Sequence, residues 1–299
     1  MSEIHYINFN GSIVDASQPV LMHTNRAFRY GDAVFETIRL MNGEILFFEK
    51  HLARLKRSME ILSMDWPEAF SFQHLHLLIR HLDQVNNLGG NARIRMEVYR
   101  KEGGYYTPLN NEVGFIIESE KMKTTDYVLN KTGLRVDLYN EAPKLVNKLS
   151  SIKSSSALQH VMAALHRKKT SYDDSLLFNV EGNVAEAISS NVFLVSNGEV
   201  STPSLDQGCV AGVMRERIIQ LLKGKNKKCV EKKISLNELL NADEVFLTNV
   251  IEGIRWVAAI RNKRYFNSFS STLVHELTGA GKEVIIQKSK VTSPKSSAH

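Results

Sequence analysis

Cysteine is scarce: the 299 residues hold two, Cys209 and Cys229. Two thiols cannot build a disulfide framework, and no CxxC pair or Cys/His cluster has zinc-ligand spacing, which excludes a stapled secreted scaffold and a structural zinc module. A reducing cytoplasm is the expected setting, with no metal. Long hydrophobic runs are missing as well. No stretch of about 18 apolar residues occurs, and the opening MSEIHYINFN has no basic segment followed by an apolar run. Neither export nor membrane insertion is expected. GxGxxG, GxxxxGKS/T, HExxH and GxSxG are also absent, which removes support for dinucleotide, P-loop, zinc-protease and hydrolase chemistry. The formal charge of +6 is concentrated in two short segments. Residues 221–233 net +5 and residues 282–299 net +3, so the rest of the chain nets −2. Neither segment interleaves its lysines with aromatics, so a nucleic-acid partner is not expected.

What is present is ordinary globular composition, 43% hydrophobic and 23% charged, with many strand signals. Asn10-Gly11, Asn42-Gly43 and Asn197-Gly198 each sit between apolar or alternating runs. Each predicts a tight hairpin, because a type I′ turn needs positive φ at both centres. Further strands are expected at 92–100, 113–119, 133–138, 174–180 and 244–248. Leu52, Leu55, Met59 and Leu62 recur at helical spacing and leave Arg54, Lys56 and Arg57 off that stripe. Other helices are expected at 71–87, 155–168, 213–223 and 267–279. The Gly-, Pro- and Asn-rich segment 101–112 reads as a mobile loop, and 119–132 as a linker. The expected organisation is therefore α+β: a smaller N-terminal unit over 1–120, a larger one over 121–290, and a disordered tail over 291–299.

The chemistry-bearing residues concentrate in the second unit. Lys153 stands just ahead of an amphipathic helix whose Ala157, Val161 and Ala164 share one face; taken alone, a solvated lysine explains it. Glu186 lies between strand-like runs with Ala and Ile beside it, and Ser189, Ser190 and Asn191 follow; a turn-capping role fits equally well. Gly212 directly precedes a helix, where free backbone N–H groups can hold a phosphate, although a glycine there usually marks only a turn.

Together these segments resemble the class IV aminotransferases, the fold type IV pyridoxal-phosphate enzymes. The resemblance runs nearly end to end. It comprises RYGDAVFETIRLMNGEILFFEKHLARLKRS, then the lysine segment, EGNVAEAISSNVFLV, TP, AGVMR and ADEVFLTN, in the family's order. It implies two α/β domains with pyridoxal 5'-phosphate between them. Lys153 would form the Schiff base and move the proton at the substrate carbon, and Glu186 would face the pyridine nitrogen. Arg54 and the N–H groups of Val213 and Met214 would bind the phosphate, with Ser190, Asn191 and Asn249 also at the cofactor. Lys144 and Lys148 are rivals for the Schiff base by composition, but neither has the I-K-S context before a helix.

The resemblance also implies a homodimer acting on a small amino or carboxylate substrate. Tyr105 and Tyr106 are suited to an interface or a substrate mouth. TPSLDQGCVAGVMR and Asn249 are more similar to the 4-amino-4-deoxychorismate lyase branch, which releases pyruvate in making 4-aminobenzoate for folate. The alternative is a transaminase using 2-oxoglutarate, of the branched-chain L-amino-acid type before the D-amino-acid type, since RKEGGYYTP lacks an Arg-x-His carboxylate trap. Arg29, Arg39, Arg95 and Arg100 form the pool for substrate carboxylates, with Phe35, Arg95 and Tyr105 as the substrate-contact candidates. A non-enzymatic interaction module of the same fold is the reading from another class, and retention of Lys153, Glu186 and Arg54 together argues against it.

Overall fold

The computed structural model describes residues 5–277, and its strands divide into two sheets. The first contains β1 (Tyr6–Phe9), β2 (Ser12–Asp15), β3 (Ala33–Met41), β4 (Glu44–Ile45), β5 (Ala92–Arg100) and β6 (Val113–Lys121). Their spatial order is β2-β1-β6-β5-β3-β4, with every neighbour antiparallel. Helices α1 (Arg26–Tyr30), α2 (Phe48–Ile61) and α3 (Phe72–Val85) belong to this half. Leu55 and Met59 of α2 and Leu75, Ile79 and Leu82 of α3 share one core with Ile38, Leu40, Ile94, Met96 and Ile117 of the sheet.

The second sheet is mixed. It uses β7 (Leu134–Lys144), β8 (Asp174–Asn179), β9 (Val184–Ala187), β10 (Asn191–Ser196), β11 (Glu199–Pro203), β12 (Cys229–Lys232), β13 (Glu244–Asn249) and β14 (Gly253–Ile260). Their order is β12-β11-β10-β13-β14-β7-β8-β9, and a short β15 (Lys263–Arg264) pairs with β14. The parallel pairs β7–β8 and β11–β12 need crossovers. Helix α4 (Leu158–Lys168) and helix α5 (Val213–Gly224) supply them, and α6 (Leu236–Asn241) follows β12. Strands β8, β10 and β13 are buried almost throughout, which explains their near-continuous apolar sequences.

All three Asn-Gly pairs form the expected turns, with φ near +50° at Asn and +79° to +93° at Gly. Two sequence expectations need correction, the mobile loop over 101–112 and the strand end at 138. Segment 101–112 is not a free loop: Gly104 bridges to Pro108, and buried Arg26 donates to the carbonyls of Gly103 and Tyr105 at 3.1 and 2.5 Å. Asp32 holds that guanidinium in place at 2.8 Å. The apolar face of α4 points away from the core, for Leu158, Val161 and Leu165 are exposed and Ala163 is its buried residue. Strand β7 runs on to Lys144, six residues past its expected end. Arg54, off the apolar stripe of α2, is nevertheless buried, in a second stripe of His51, Arg54 and Ser58. The expected helix over 267–279 is helical at 268–277, and its last residues and the tail over 291–299 lie outside the described residues. No helix among the described residues is long and apolar enough to cross a membrane.

Candidate active site

Strand periodicity builds one wall. In β5, Ala92, Ile94, Met96 and Val98 face the helices, so Arg93, Arg95 and Glu97 face the other way. On neighbouring β3, Phe35 and Thr37 share that outer face, with Thr37 opposite Arg95 and Phe35 opposite Glu97. Glu36 therefore turns inward, toward α2. A carboxylate there demands charged partners, and the His51–Arg54 stripe provides them. Arg54 Nε donates to Glu36 Oε1 at 2.8 Å, its Nη2 donates to Oε2, and His51 Nδ1–H donates to Oε2 at 2.6 Å. Burial alone would raise the Glu36 carboxyl, but Arg54 and His51 outweigh it and hold it down at about 2. Burial likewise lowers His51, leaving a neutral imidazole.

Segment 152–155 is laid against this wall. Phe35 N–H donates to Lys153 O at 2.9 Å, Ser155 N–H donates to Ala33 O at 3.0 Å, and Val34 bridges to Ser154. That short pairing holds Lys153 on the edge of β3, with its Nζ 4.3 Å from the centre of the Phe35 ring. Arg95 lies over the same ring at 3.7 Å. Burial, and then the Arg54 cation, pull the Lys153 amine down to about 8, with Glu36 and Glu186 opposing. A deprotonated amine is thus accessible near neutral pH, as a nucleophile requires.

The opposite wall comes from the second sheet. Glu186, on β9, is 3% exposed. Its Oε1 receives Lys144 Nζ and lies 3.0 Å from His160 Nε2, while Oε2 accepts the Val210 N–H at 2.9 Å. Burial raises this carboxyl, but Lys144 and His160 reverse the effect and hold it at about 2.

Between the walls, Gly212 is the N-cap of α5 and has no side-chain cap, so the first N–H groups of the helix, from buried Val213 and Met214, are free for an anion. Arg54 Nη1 donates to neighbouring Ala211 O at 3.1 Å. Asn191 Nδ2 donates to Val210 O at 2.9 Å, and Asn249 Nδ2 donates to Ser190 Oγ at 3.0 Å. A Cβ on Gly212 would stand 1.9 Å from Asn191 Oδ1. Gly212→Ala is accordingly expected to cost about 1–3 kcal/mol by overpacking, and an unchanged melting temperature would show that Asn191 yields freely.

A cleft of about 610 Å³ joins these groups. Phe35, Arg54, Arg95, Lys153, Glu186, Ser190, Asn191, Val213, Met214 and Asn249 all line it, together with Thr37, Arg93, Lys144 and His160. Tyr105 does not: it is 81% exposed and lies outside the cleft. Of the expected arginine pool only Arg95 reaches the cleft. Arg39 is buried against Met122 and Thr124, Arg100 binds Asp32 at 2.9 Å, and Arg29 is exposed. Lys148 is exposed, and Lys144 is committed to Glu186. Glu36, His51, Arg93, Thr37 and His160 carried no expected role. Glu36 and His51 stood inside the quoted motifs, and only the inward turn of β3 reveals their partnership.

The chain matches known proteins along most of its length. Residues 33–260 match amino-transferase class IV. The chain is 27% identical over 255 residues to the aminodeoxychorismate lyase of Bacillus subtilis, covering 82% of this chain and 83% of that one. It is 26% identical over 264 residues to the D-alanine aminotransferase of Bacillus licheniformis, covering 84% and 87%. The branched-chain amino acid aminotransferase of Thermobaculum terrenum, solved in its PLP form, shares the fold at a TM-score of 0.78 and 22% identity, with 95% of each chain covered. The family match runs from β3 to β14 and includes every residue lining the cleft: the chain belongs to the amino-transferase class IV family, with the α+β fold of its fold type IV enzymes.

Proposed function

We propose that the cleft holds pyridoxal 5'-phosphate and that the enzyme cleaves 4-amino-4-deoxychorismate to 4-aminobenzoate and pyruvate. The observation that carries the cofactor reading is convergence on one cleft of an amine lowered to about 8, a buried carboxylate and an uncapped helix start beside an arginine. When bound, the cofactor supplies an aldehyde that accepts an amine and a protonated ring that withdraws electrons from the adjacent carbon. The free N–H groups of Val213 and Met214, with Arg54, suit its phosphate. Ser190, Asn191 and Asn249 brace that corner, and Glu186 suits the ring nitrogen. Lys153 Nζ would take the proton from the ring carbon bearing the substrate amine, and the adjacent ring C–O bond would break as the ring becomes aromatic. The proton would then pass to the methylene of the released enolpyruvate, giving pyruvate. Cleavage of the substrate's ether bond gives the two products without a co-substrate.

Two features favour the lyase. The wall of β3 and β5 presents two arginines, Arg93 and Arg95, to the cleft, suited to a substrate with two carboxylates. Asn249 stands where transaminases tend to carry Ser or Thr. The partial neutralisation of Arg95 by Glu97, and by Glu118 at 3.6 Å, keeps the transaminase as the second reading. Supplying aminodeoxychorismate alone should yield 4-aminobenzoate and pyruvate in equal amounts. Turnover only of an amino acid with 2-oxoglutarate would replace the lyase with the transaminase.

The homodimer is supported by exposed apolar surface that a lone subunit would not be expected to carry. Leu158, Val161, Met162 and Leu165 of α4 lie exposed, Leu158 lines the cleft with exposed Leu145 and Leu149, and Tyr105 and Tyr106 stand outward on their anchored loop. Sedimentation is expected to give twice the chain mass, with activity lost on dilution to monomer. A fully active monomer would contradict this.

A further inference from the structure

Lys144 ends β7, opposite Asn179 of β8, and is 4% exposed. Its ammonium is paired with Glu186, the carboxylate assigned above to the cofactor's ring nitrogen, and the inference rests on that reading. A carboxylate offers about four lone-pair positions. Three are taken, by Lys144, by His160 at 3.0 Å and by the Val210 N–H at 2.9 Å. One position is left. A buried ammonium is costly unless paired, so Lys144 stays committed to Glu186 whether or not that last position is filled.

We propose that Lys144 is a positioning residue that neutralises Glu186 and so weakens this carboxylate's hold on a protonated ring nitrogen. Two cations then share one anion, and they repel each other across it. His160 sets the same carboxylate from α4, and the Cys209 thiol, adjacent to Val210, is pushed up to about 12 by burial and stays neutral. Lys144 is the foremost charged partner of Glu186. A lone Glu186 would bind the ring as a full ion pair. The Lys144–Glu186 pair binds it as a hydrogen-bond acceptor with little net charge.

The test compares wild type with Lys144→Met, which keeps chain length and removes charge, and with Lys144→Arg, which keeps charge. Each is titrated with pyridoxal 5'-phosphate carrying a 15N ring. The Lys144→Met protein is expected to bind the cofactor about tenfold more tightly, the effect of one unit of pKa difference. Its ring 15N resonance should move toward the protonated position, and its melting temperature should rise more on loading than that of wild type. Lys144→Arg should return wild-type values. An unchanged 15N shift and an equal gain in melting temperature on loading would overturn the proposal and leave Lys144 a structural ion-pair partner. Lys144→Gln carries the same comparison if Lys144→Met fails to fold. Failure of wild type to take up the cofactor would instead overturn the reading on which the inference rests.

Discussion

Lys153→Ala is expected to lower turnover by at least about 10⁴-fold, the upper end of what a positioned proton-transfer group contributes, and to yield a colourless protein. The fold should survive. Lys153 is held through backbone pairing with Phe35 and through Ser155 N–H on Ala33, and neither contact needs its side chain. What is lost is a primary amine made available by its surroundings. Burial and the neighbouring Arg54 cation lower it to about 8, against an ordinary lysine value of 10.5. A companion measurement follows from that number. The rate at which wild type takes up cofactor should climb as the amine loses its proton, with a midpoint near pH 8 and a plateau above it. A rate still climbing past pH 10 would mean an unperturbed lysine. Retained colour and activity in the alanine variant would remove Lys153 from the reaction.

Arg54→Ala should act twice. Glu36 is 1% exposed, and with Arg54 gone its carboxylate keeps only the neutral His51 as a close partner. Breaking a buried pair from one side costs about 3–5 kcal/mol, so a large fall in urea midpoint is expected. The double variant with Glu36→Gln should recover part of it, because the stranded charge is then gone. Cofactor affinity should fall separately, by about 1.5–3 kcal/mol, the scale of a hydrogen bond to a charged group, and the second substitution should not restore it. An unchanged dissociation constant would take Arg54 away from the phosphate, and an unchanged midpoint would contradict the buried Glu36 pair.

Those two roles of Arg54 show where sequence reading ends. Hairpins were legible because Asn-Gly chemistry is local, and β5 and β6 because apolar residues alternate along them. Of the candidate residues, Lys153, Glu186, Arg54 and Asn249 line one cleft, whereas Arg29, Arg39, Arg100 and Tyr105 stand away from it. Partnerships were not legible. Glu36 and His51 lie 15 positions apart, Lys144 and Glu186 lie 42 apart, and nothing in local spacing brings either pair together. The pairing follows from strand parity, which turns Glu36 toward α2, and from the run of β7 to Lys144. Local composition also misled at one point. Gly, Tyr and Pro made 101–112 read as mobile, whereas Arg26, 77 residues from Gly103, reaches across to hold it. The apolar positions of α4 read as one face of an amphipathic helix, yet Leu158, Val161 and Leu165 are exposed.

Borohydride reduction of the cofactor-loaded protein, followed by digestion and mass mapping, shows which lysine carries the cofactor. Reduction fixes the cofactor to whichever amine holds it. Lys144 and Lys153 both line the cleft, so the result chooses between real rivals. One modified peptide is expected, with the added mass on Lys153 and Lys144 left free. Label on Lys144, or no label after loading and reduction, would contradict the assignment of Lys153.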